Sequence, residues 1–146
     1  MGVIYFPMWP VFCFVEDGRN AVLDWLDREA VASAVRLEFQ ARIDFIKAGG
    51  PNMVPGCIRP VPKGRGILHY LQVERKGFPP IKPLLCYGPF SDTEITILAG
   101  APDRNREVFR PADVITEALR AFDAVSRDRQ RRRYERVVNR GTSSRF

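Results

Sequence analysis

The sequence predicts an α+β fold: a small twisted antiparallel sheet with two N-terminal helices packed on it and a C-terminal helix beyond it. Two observations carry this prediction. Within residues 66–100, three apolar, strand-like segments follow one another with links too short for parallel crossovers. Before and after this run, apolar residues recur three or four positions apart, which is the spacing of helices that pack on a core.

The strand over residues 67–74 shows the clearest alternation of the three. The face expected to contact the core consists of Ile67, His69, Leu71 and Val73. The face expected to be open consists of Leu68, Tyr70, Gln72 and Glu74. Residues 84–87 and 94–99 supply the next two strands. The alternation therefore predicts that the open face presents Tyr70 to a groove.

The N-terminal part of the chain reads as an arm, a strand and two helices. Pro7 and Pro10 argue against regular structure in residues 1–10, which are expected to form an extended arm. Residues 11–15 form a first strand, and Asn20 is a plausible N-cap for a short helix. A longer helix over residues 29–48 ends at Gly49-Gly50-Pro51.

The third helix begins at Pro111, and its apolar stripe ends at Val125. Residues 1–126 are accordingly predicted to be one domain. Residues 127–146 are predicted to be a basic tail, partly helical and then disordered, that can be removed without loss of the fold.

Composition indicates a soluble, cytoplasmic, single-domain protein. The chain has 146 residues, of which 45% are hydrophobic and 27% are charged. No apolar run approaches the roughly 20 residues that a membrane helix needs, and no secretory signal is evident. The three cysteines lack the paired spacing of a zinc site and are expected to be free, mostly buried thiols, so neither a metal nor a cofactor is predicted.

The net charge of +6 is concentrated at the C-terminal end. From Arg127 onward there are eight arginines against Asp128 and Glu135, which leaves fifteen basic and fifteen acidic residues before them. Within this neutral body, one local excess of positive charge surrounds the predicted sheet, with only Glu74 opposing it. Phosphate contacts and an ordinary solvated basic face both remain possible explanations.

Three stretches carry a resemblance to a known family. The first reads GRNAVLDWL at residues 18–26. The second consists of IRPV at residues 58–61 and GILHYLQV at residues 66–73. The third consists of ITILAG at residues 95–100 and PADVITEA at residues 111–118. In order and spacing they resemble the RelE/HigB-type toxins of bacterial toxin–antitoxin systems, in particular the phage-derived HigB-like branch. The resemblance covers about residues 11–125 and implies a RelE-like fold.

The resemblance also implies a function. Such toxins are endoribonucleases that inhibit translation by cutting mRNA in the ribosomal A site, so the implied partners are mRNA, the ribosome and a cognate antitoxin, the last expected to be of the helix-turn-helix type. Cleavage requires deprotonation of the 2′-hydroxyl, neutralisation of the phosphate charge and protonation of the leaving 5′-oxygen. Here Gln72 and Pro83 stand where the family carries strand arginines, and Asp103-Arg104 replaces a pair of lysines.

The positive charge must then come from neighbouring residues. The catalytic candidates are Arg104, Arg106, Tyr70, Lys63 and Arg65. The further RNA-binding candidates are Arg59, Arg75, Lys76, Lys82, Arg110, Arg131, Arg132 and Arg133. Tyr70 is expected either to stack on a base or to be an ordinary sheet-surface tyrosine, and His69 is expected to be a core or sheet-edge histidine rather than a catalytic one.

Two alternative functions stay open. One is a catalytically silent member of the same fold, including a phage-borne one, that binds and inhibits a host protein or a nucleic acid. The other, favoured less by the sequence, is a gyrase poison of the same superfamily.

Overall fold

The computed structural model describes residues 8–101 and 113–138. Within them the chain forms a mixed sheet with helices on both faces. The strands are β1 (Val11–Glu16), β2 (Arg19–Asn20), β3 (Ile58–Pro60), β4 (Leu68–Leu71), β5 (Leu84–Tyr87), β6 (Ile95–Ala99) and β7 (Arg132–Arg133), and the helices are α1 (Ala21–Arg28), α2 (Ser33–Gly49) and α3 (Asp113–Arg127). Short 3₁₀ turns lie at Pro51–Met53 and Arg129–Arg131.

The sheet has the strand order β2-β1-β6-β5-β4-β3, and β7 also pairs with β1. The antiparallel run from β3 through β6 confirms the three consecutive strands predicted between residues 66 and 100. The prediction of a wholly antiparallel sheet is wrong, because β1 lies parallel to β6, with Val11 opposite Ile95. The two helices and four strands between β1 and β6 give the chain ample length for a parallel crossover.

Helices α1 and α2 cover one face of the sheet. Leu23, Leu26, Phe39 and Ile43 are buried there, in one cluster with Leu71 and Ile97 of the sheet. The N-cap prediction for α1 is confirmed, since the Asn20 side chain accepts hydrogen bonds from the N–H groups of Val22 and Leu23. We refer to this side as the α2 face.

Helix α3 covers the opposite face of the sheet. Ala118, Ala121 and Val125 are buried there, in a second cluster with Leu84 and Leu98. The predicted groove on this side is therefore partly filled by α3. We refer to this side as the α3 face.

Strand β4 largely follows the predicted alternation. Leu71 and Val73 belong to the core of the α2 face, whereas Leu68 and Tyr70 belong to the α3 face. Ile67 departs from the prediction and packs on the α3 face. The reason is a turn: the N–H groups of Ile67 and Leu68 both bond to the carbonyl of Gly64, so regular strand geometry starts only at Leu68.

Residues 128–138, which we call the strap, dock on the folded body. Val137 is fully buried in the core of the α2 face. Its N–H donates to Gln40 Oε1 at 2.8 Å, and its carbonyl accepts from Arg36 Nε at 3.0 Å. The expectation that these residues fray is wrong for the strap, because the buried Val137 and its hydrogen bonds to Gln40 and Arg36 hold it on the body without a continuous apolar stripe. Residues 139–146 lie outside the described part of the chain.

Candidate nucleic-acid interface

The β3–β4 hairpin brings several of the sequence-predicted residues together. Strand β3 pairs with β4 so that Arg59 lies opposite Tyr70, and the two side chains share the α3 face. Lys63 and Arg65 occupy the tip between the strands, where both adopt the left-handed backbone region with φ of 65° and 59°. Arg59, Lys63 and Arg65 are all exposed.

The hairpin is positively charged without acidic compensation from its own sequence. Residues 45–73 contain no aspartate or glutamate. Three exposed cations on one short hairpin, together with Lys82 on the neighbouring chain segment, therefore generate a local positive potential although residues 1–126 sum to zero.

Tyr70 and Lys82 form a half-buried pair beside this hairpin. The Lys82 ammonium lies 5.0 Å from the centroid of the Tyr70 ring, and the lysine is only 8% exposed. The ring packs on the core of the α3 face. The structure adds a role that neither expectation included, the support of a cation, because one face of the Tyr70 ring is turned to Lys82.

Other predicted residues lie elsewhere. Arg75 and Lys76 follow β4 at the end of the sheet away from the hairpin tip, where Arg75 reaches Glu38 of α2 at 3.9 Å. Arg104, Arg106 and Arg110 lie outside the described residues. Ala101, the last residue described before them, accepts a 2.7 Å backbone hydrogen bond from Lys82.

Arg131, Arg132 and Arg133 lie at the opposite edge of the sheet, beside β1. The Arg131 guanidinium donates to the Val15 carbonyl at 3.0 Å, and Arg133 donates to the Gly18 carbonyl at 2.6 Å. The backbone of Arg132 in β7 pairs with that of Phe14 in β1. These residues hold the strap in place and are not part of the hairpin surface.

Arg132 makes a buried ion pair with Glu94. Its guanidinium donates to both carboxylate oxygens, at 2.6 and 3.2 Å, and the two side chains are 6% and 8% exposed. The same guanidinium also reaches Thr96 Oγ1 at 3.2 Å. Burial alone would raise the pKa of Glu94, but hydrogen bonds from Arg132 and the Phe90 N–H outweigh it and hold this pKa below its ordinary value of 4.5. Sequence reasoning missed this pair because 38 residues separate its members.

His69 is not placed for catalysis at the hairpin. It lies on the α2 face, opposite to Tyr70, and packs edge-on against Tyr87 with centroids 4.9 Å apart. Its Nδ1 atom is buried without a hydrogen-bond partner in the described residues. This placement agrees with the expected core or sheet-edge histidine.

The cysteines are free thiols, as predicted, with Cys13 and Cys86 buried and Cys57 half-buried. Burial raises the pKa of Cys13 and of Cys86 to about 12, so neither is a nucleophile near neutral pH. Within residues 8–101 and 113–138 no cluster of histidine, cysteine, aspartate or glutamate side chains suits a metal ion. Nor does any helix of these residues have the length and apolar character to cross a membrane.

Comparison with known proteins yields no match to a protein family, to a curated protein or to a solved structure. The fold itself defines an α+β protein with an open, mixed sheet, α1 and α2 on one face and α3 on the other. Functional inference therefore depends on the chemistry of the hairpin and its surroundings.

Proposed function

We propose that the protein is a toxin of the type its sequence resembles, which binds mRNA on the ribosome through the β3–β4 hairpin and cuts it. The observation that carries the proposal is the set of three exposed cations, Arg59, Lys63 and Arg65, on a hairpin that contains no acidic residue. An RNA backbone is the polyanion that such a surface would attract, and each phosphate contact adds to affinity by releasing counterions.

The cleavage chemistry sets what the hairpin must supply. The 2′-oxygen bonds to phosphorus, the bond to the 5′-oxygen breaks, and the products are a 2′,3′-cyclic phosphate and a 5′-hydroxyl. Lys63 and Arg65 would neutralise the charge that builds on the non-bridging oxygens. Among the cations and Tyr70, the phenol is the natural group to give a proton to the 5′-oxygen as it leaves, because arginine stays protonated and the Lys82 ammonium lies over the ring. The proton of the 2′-hydroxyl would pass to water.

One observation favours the second candidate, a catalytically silent binder of the same kind. His69, the only histidine, lies on the face of the sheet opposite to Tyr70. The described part of the hairpin surface thus offers cations but no imidazole base. Binding through phosphate contacts requires only the cations, whereas cleavage requires the base as well.

The test expresses the wild-type protein in a susceptible host and maps new mRNA ends on translating ribosomes. Lys63→Ala and Arg65→Ala are each expected to slow cleavage roughly a hundredfold, which corresponds to about 3 kcal/mol of lost transition-state stabilisation. Arg28→Ala is the matched control, because Arg28 is equally exposed but lies at the end of α1 on the other face.

The outcomes separate the two candidates. Growth arrest with new mRNA ends supports the nuclease. RNA binding without arrest or new ends leaves the silent binder. If the wild-type protein neither arrests growth nor binds RNA, the proposed function is wrong in both forms.

A further inference from the structure

Five side chains form a continuous stack where the strap crosses the sheet. Tyr134 stacks on Phe12 with ring centroids 4.3 Å apart and an interplanar angle of 29°. The Arg132 guanidinium lies over Phe12 at 3.7 Å and over Phe90 at 4.8 Å, and Arg129 lies over Phe90 at 4.4 Å. Beyond the ring pair of Tyr134 and Phe12, guanidinium groups and rings thus alternate through Arg132 and Phe90 to Arg129 at the other end. We call these residues the arginine–aromatic stack.

The stack and the hairpin tip lie at the same end of the sheet. One row of residues crosses the sheet through Phe12, Thr96, Cys86 and Leu68. Beyond this row, in the same direction, lie the hairpin tip before Leu68 and the β5–β6 loop that carries Phe90. From β4 to β1 there are three strand spacings, which amounts to about 14 Å. A single extended strand of RNA that contacts the hairpin tip can therefore also reach the stack.

The outer end of the stack is open to a ligand. Tyr134 is 61% exposed although one face of its ring is covered by Phe12. A ring that is exposed while held in a stack presents a preformed surface for another planar group. The Tyr134 ring rests on Phe12, and Phe12 in turn lies against Arg132. Arg132 is held by the buried Glu94 at 2.6 Å, so the position of the ring is fixed. Such preorganisation lowers the cost of ordering the site on binding.

The charge around the stack suits an anionic ligand. Residues 127–138 contain six arginines against Asp128 and Glu135. Arg132 is paired with Glu94, and Arg133 lies 3.8 Å from Glu135, while Arg129 and Arg136 are exposed. Planar bases joined by phosphates match an aromatic surface flanked by guanidinium groups.

We infer that the arginine–aromatic stack is a second RNA contact, in which an unpaired base stacks on the outer face of Tyr134, a flanking phosphate meets Arg136, and a phosphate further along the strand meets Arg129 at the other end of the stack. The inference rests on the proposed function in taking RNA as the ligand. It adds that the ligand must be single-stranded, because a base in a duplex cannot place its face on Tyr134.

The test measures binding of a labelled oligoadenylate, and of a duplex RNA of equal length, by fluorescence anisotropy. Tyr134→Ala is expected to weaken oligoadenylate binding about tenfold, as loss of one base–aromatic stack does, and to leave duplex binding unchanged. Tyr134→Phe should restore the affinity, because the ring and not the hydroxyl makes the stack. Phe78→Ala is the matched control: Phe78 is 42% exposed but lies in the turn after β4, at the far end of the sheet.

The inference and the proposed function fail in different ways. If Tyr134→Ala binds oligoadenylate as the wild-type protein does, or weakens duplex binding equally, the stacking inference is wrong. In that case a loss of affinity in Lys63→Ala and Arg65→Ala still supports the hairpin as the RNA surface. If the wild-type protein binds no RNA, both are wrong. A thermal melt of Tyr134→Ala that matches the parent, as expected for so exposed a side chain, excludes unfolding as the cause.

Discussion

At the scale of single residues, the Arg132–Glu94 pair has the largest structural consequence of the ion pairs described. Both side chains are nearly inaccessible, and the carboxylate also accepts a 2.9 Å hydrogen bond from the Phe90 N–H. The guanidinium lies between two aromatic rings, where Thr96 takes a further hydrogen bond. The pair thus fastens the strap to β6 and to the β5–β6 loop, and losing one partner would leave a buried charge uncompensated.

We expect Glu94→Ala to lower the free energy of unfolding by about 3–5 kcal/mol, the usual cost of orphaning a buried charge. A urea titration measures it. Arg19→Ala is the control, because it removes an exposed partner of Asp24 and should change the midpoint little. Equal midpoints for Glu94→Ala and the parent would contradict the assignment.

The same pair also predicts a pH dependence. Since the folded-state pKa of Glu94 lies below its ordinary value of 4.5, the stabilisation is fully present above that pH and is lost as the pH falls through the folded-state pKa. When the pH is lowered from neutral to below about 4.5, the free energy of unfolding should therefore fall less for Glu94→Gln than for the parent.

At the scale of elements, the strap acts as a structural segment of the body. Strand β7 extends the edge of β1, and Val137 enters the core of the α2 face. Beside it, Asn20, which caps α1, also donates to Glu135 at 3.1 Å. The strap therefore ties the first strand, the first helix and α2 together.

Val137→Ala should lower the free energy of unfolding by about 2 kcal/mol, because the strap cannot fully close the cavity left by the lost methyl groups. Val138→Ala is the matched control, with the same substitution one residue on at a half-buried site, and its effect should be clearly smaller. Chemical denaturation of the parent and of the two variants measures both effects. If Val137→Ala costs no more than Val138→Ala, the strap is not part of the core.

Periodicity in the sequence predicted the antiparallel run β4–β6, the cap at Asn20 and most of the alternation along β4, because each of these depends on neighbours within a few residues. It did not predict the parallel pairing of β1 with β6 or the docking of the strap. Both depend on partners far along the chain. The buried Val137 is one apolar residue among arginines, so no pattern marks it.

The candidate site likewise contains some residues that local sequence predicts and others that depend on distant partners. Arg59, Lys63, Arg65 and Lys82 were predicted from local charge and Tyr70 from the alternation of its strand, and these residues lie on or beside the hairpin. The predicted role of Arg132 as an RNA contact has no support in the structure, since Glu94 occupies its guanidinium. Its burial follows from a contact that local sequence does not encode.

At the scale of the whole molecule, the location of the charged residues matters more than their total charge. The net charge is +6, yet Lys63 and Arg65 of the hairpin tip and Arg129 of the strap, all exposed, lie at one end of the sheet. The potential at this end should therefore govern how the protein meets a polyanion.

Removing Lys63 and Arg65 together should reduce the slope of log affinity against log salt for single-stranded RNA by about 1.4, or about 0.7 per phosphate contact. Exchanging Arg28 and Lys76 for alanine lowers the net charge equally but away from this end, and should leave the slope near that of the parent. Binding at several salt concentrations measures both. Equal slopes for the two double variants would show that overall charge, not location, determines binding.

The closure of β1 by β7 has a consequence for biosynthesis. Strand β1 emerges from the ribosome well before β7, so the part of its edge that β7 covers stays open, and the site of Val137 stays empty, until residues 132–138 have been translated and released. Because Tyr134 and Arg132 belong to the same late segment, the arginine–aromatic stack forms only when synthesis of that segment is over. If the protein arrests translation as proposed, the complete inhibitor does not exist until the ribosome has synthesised residues 132–138.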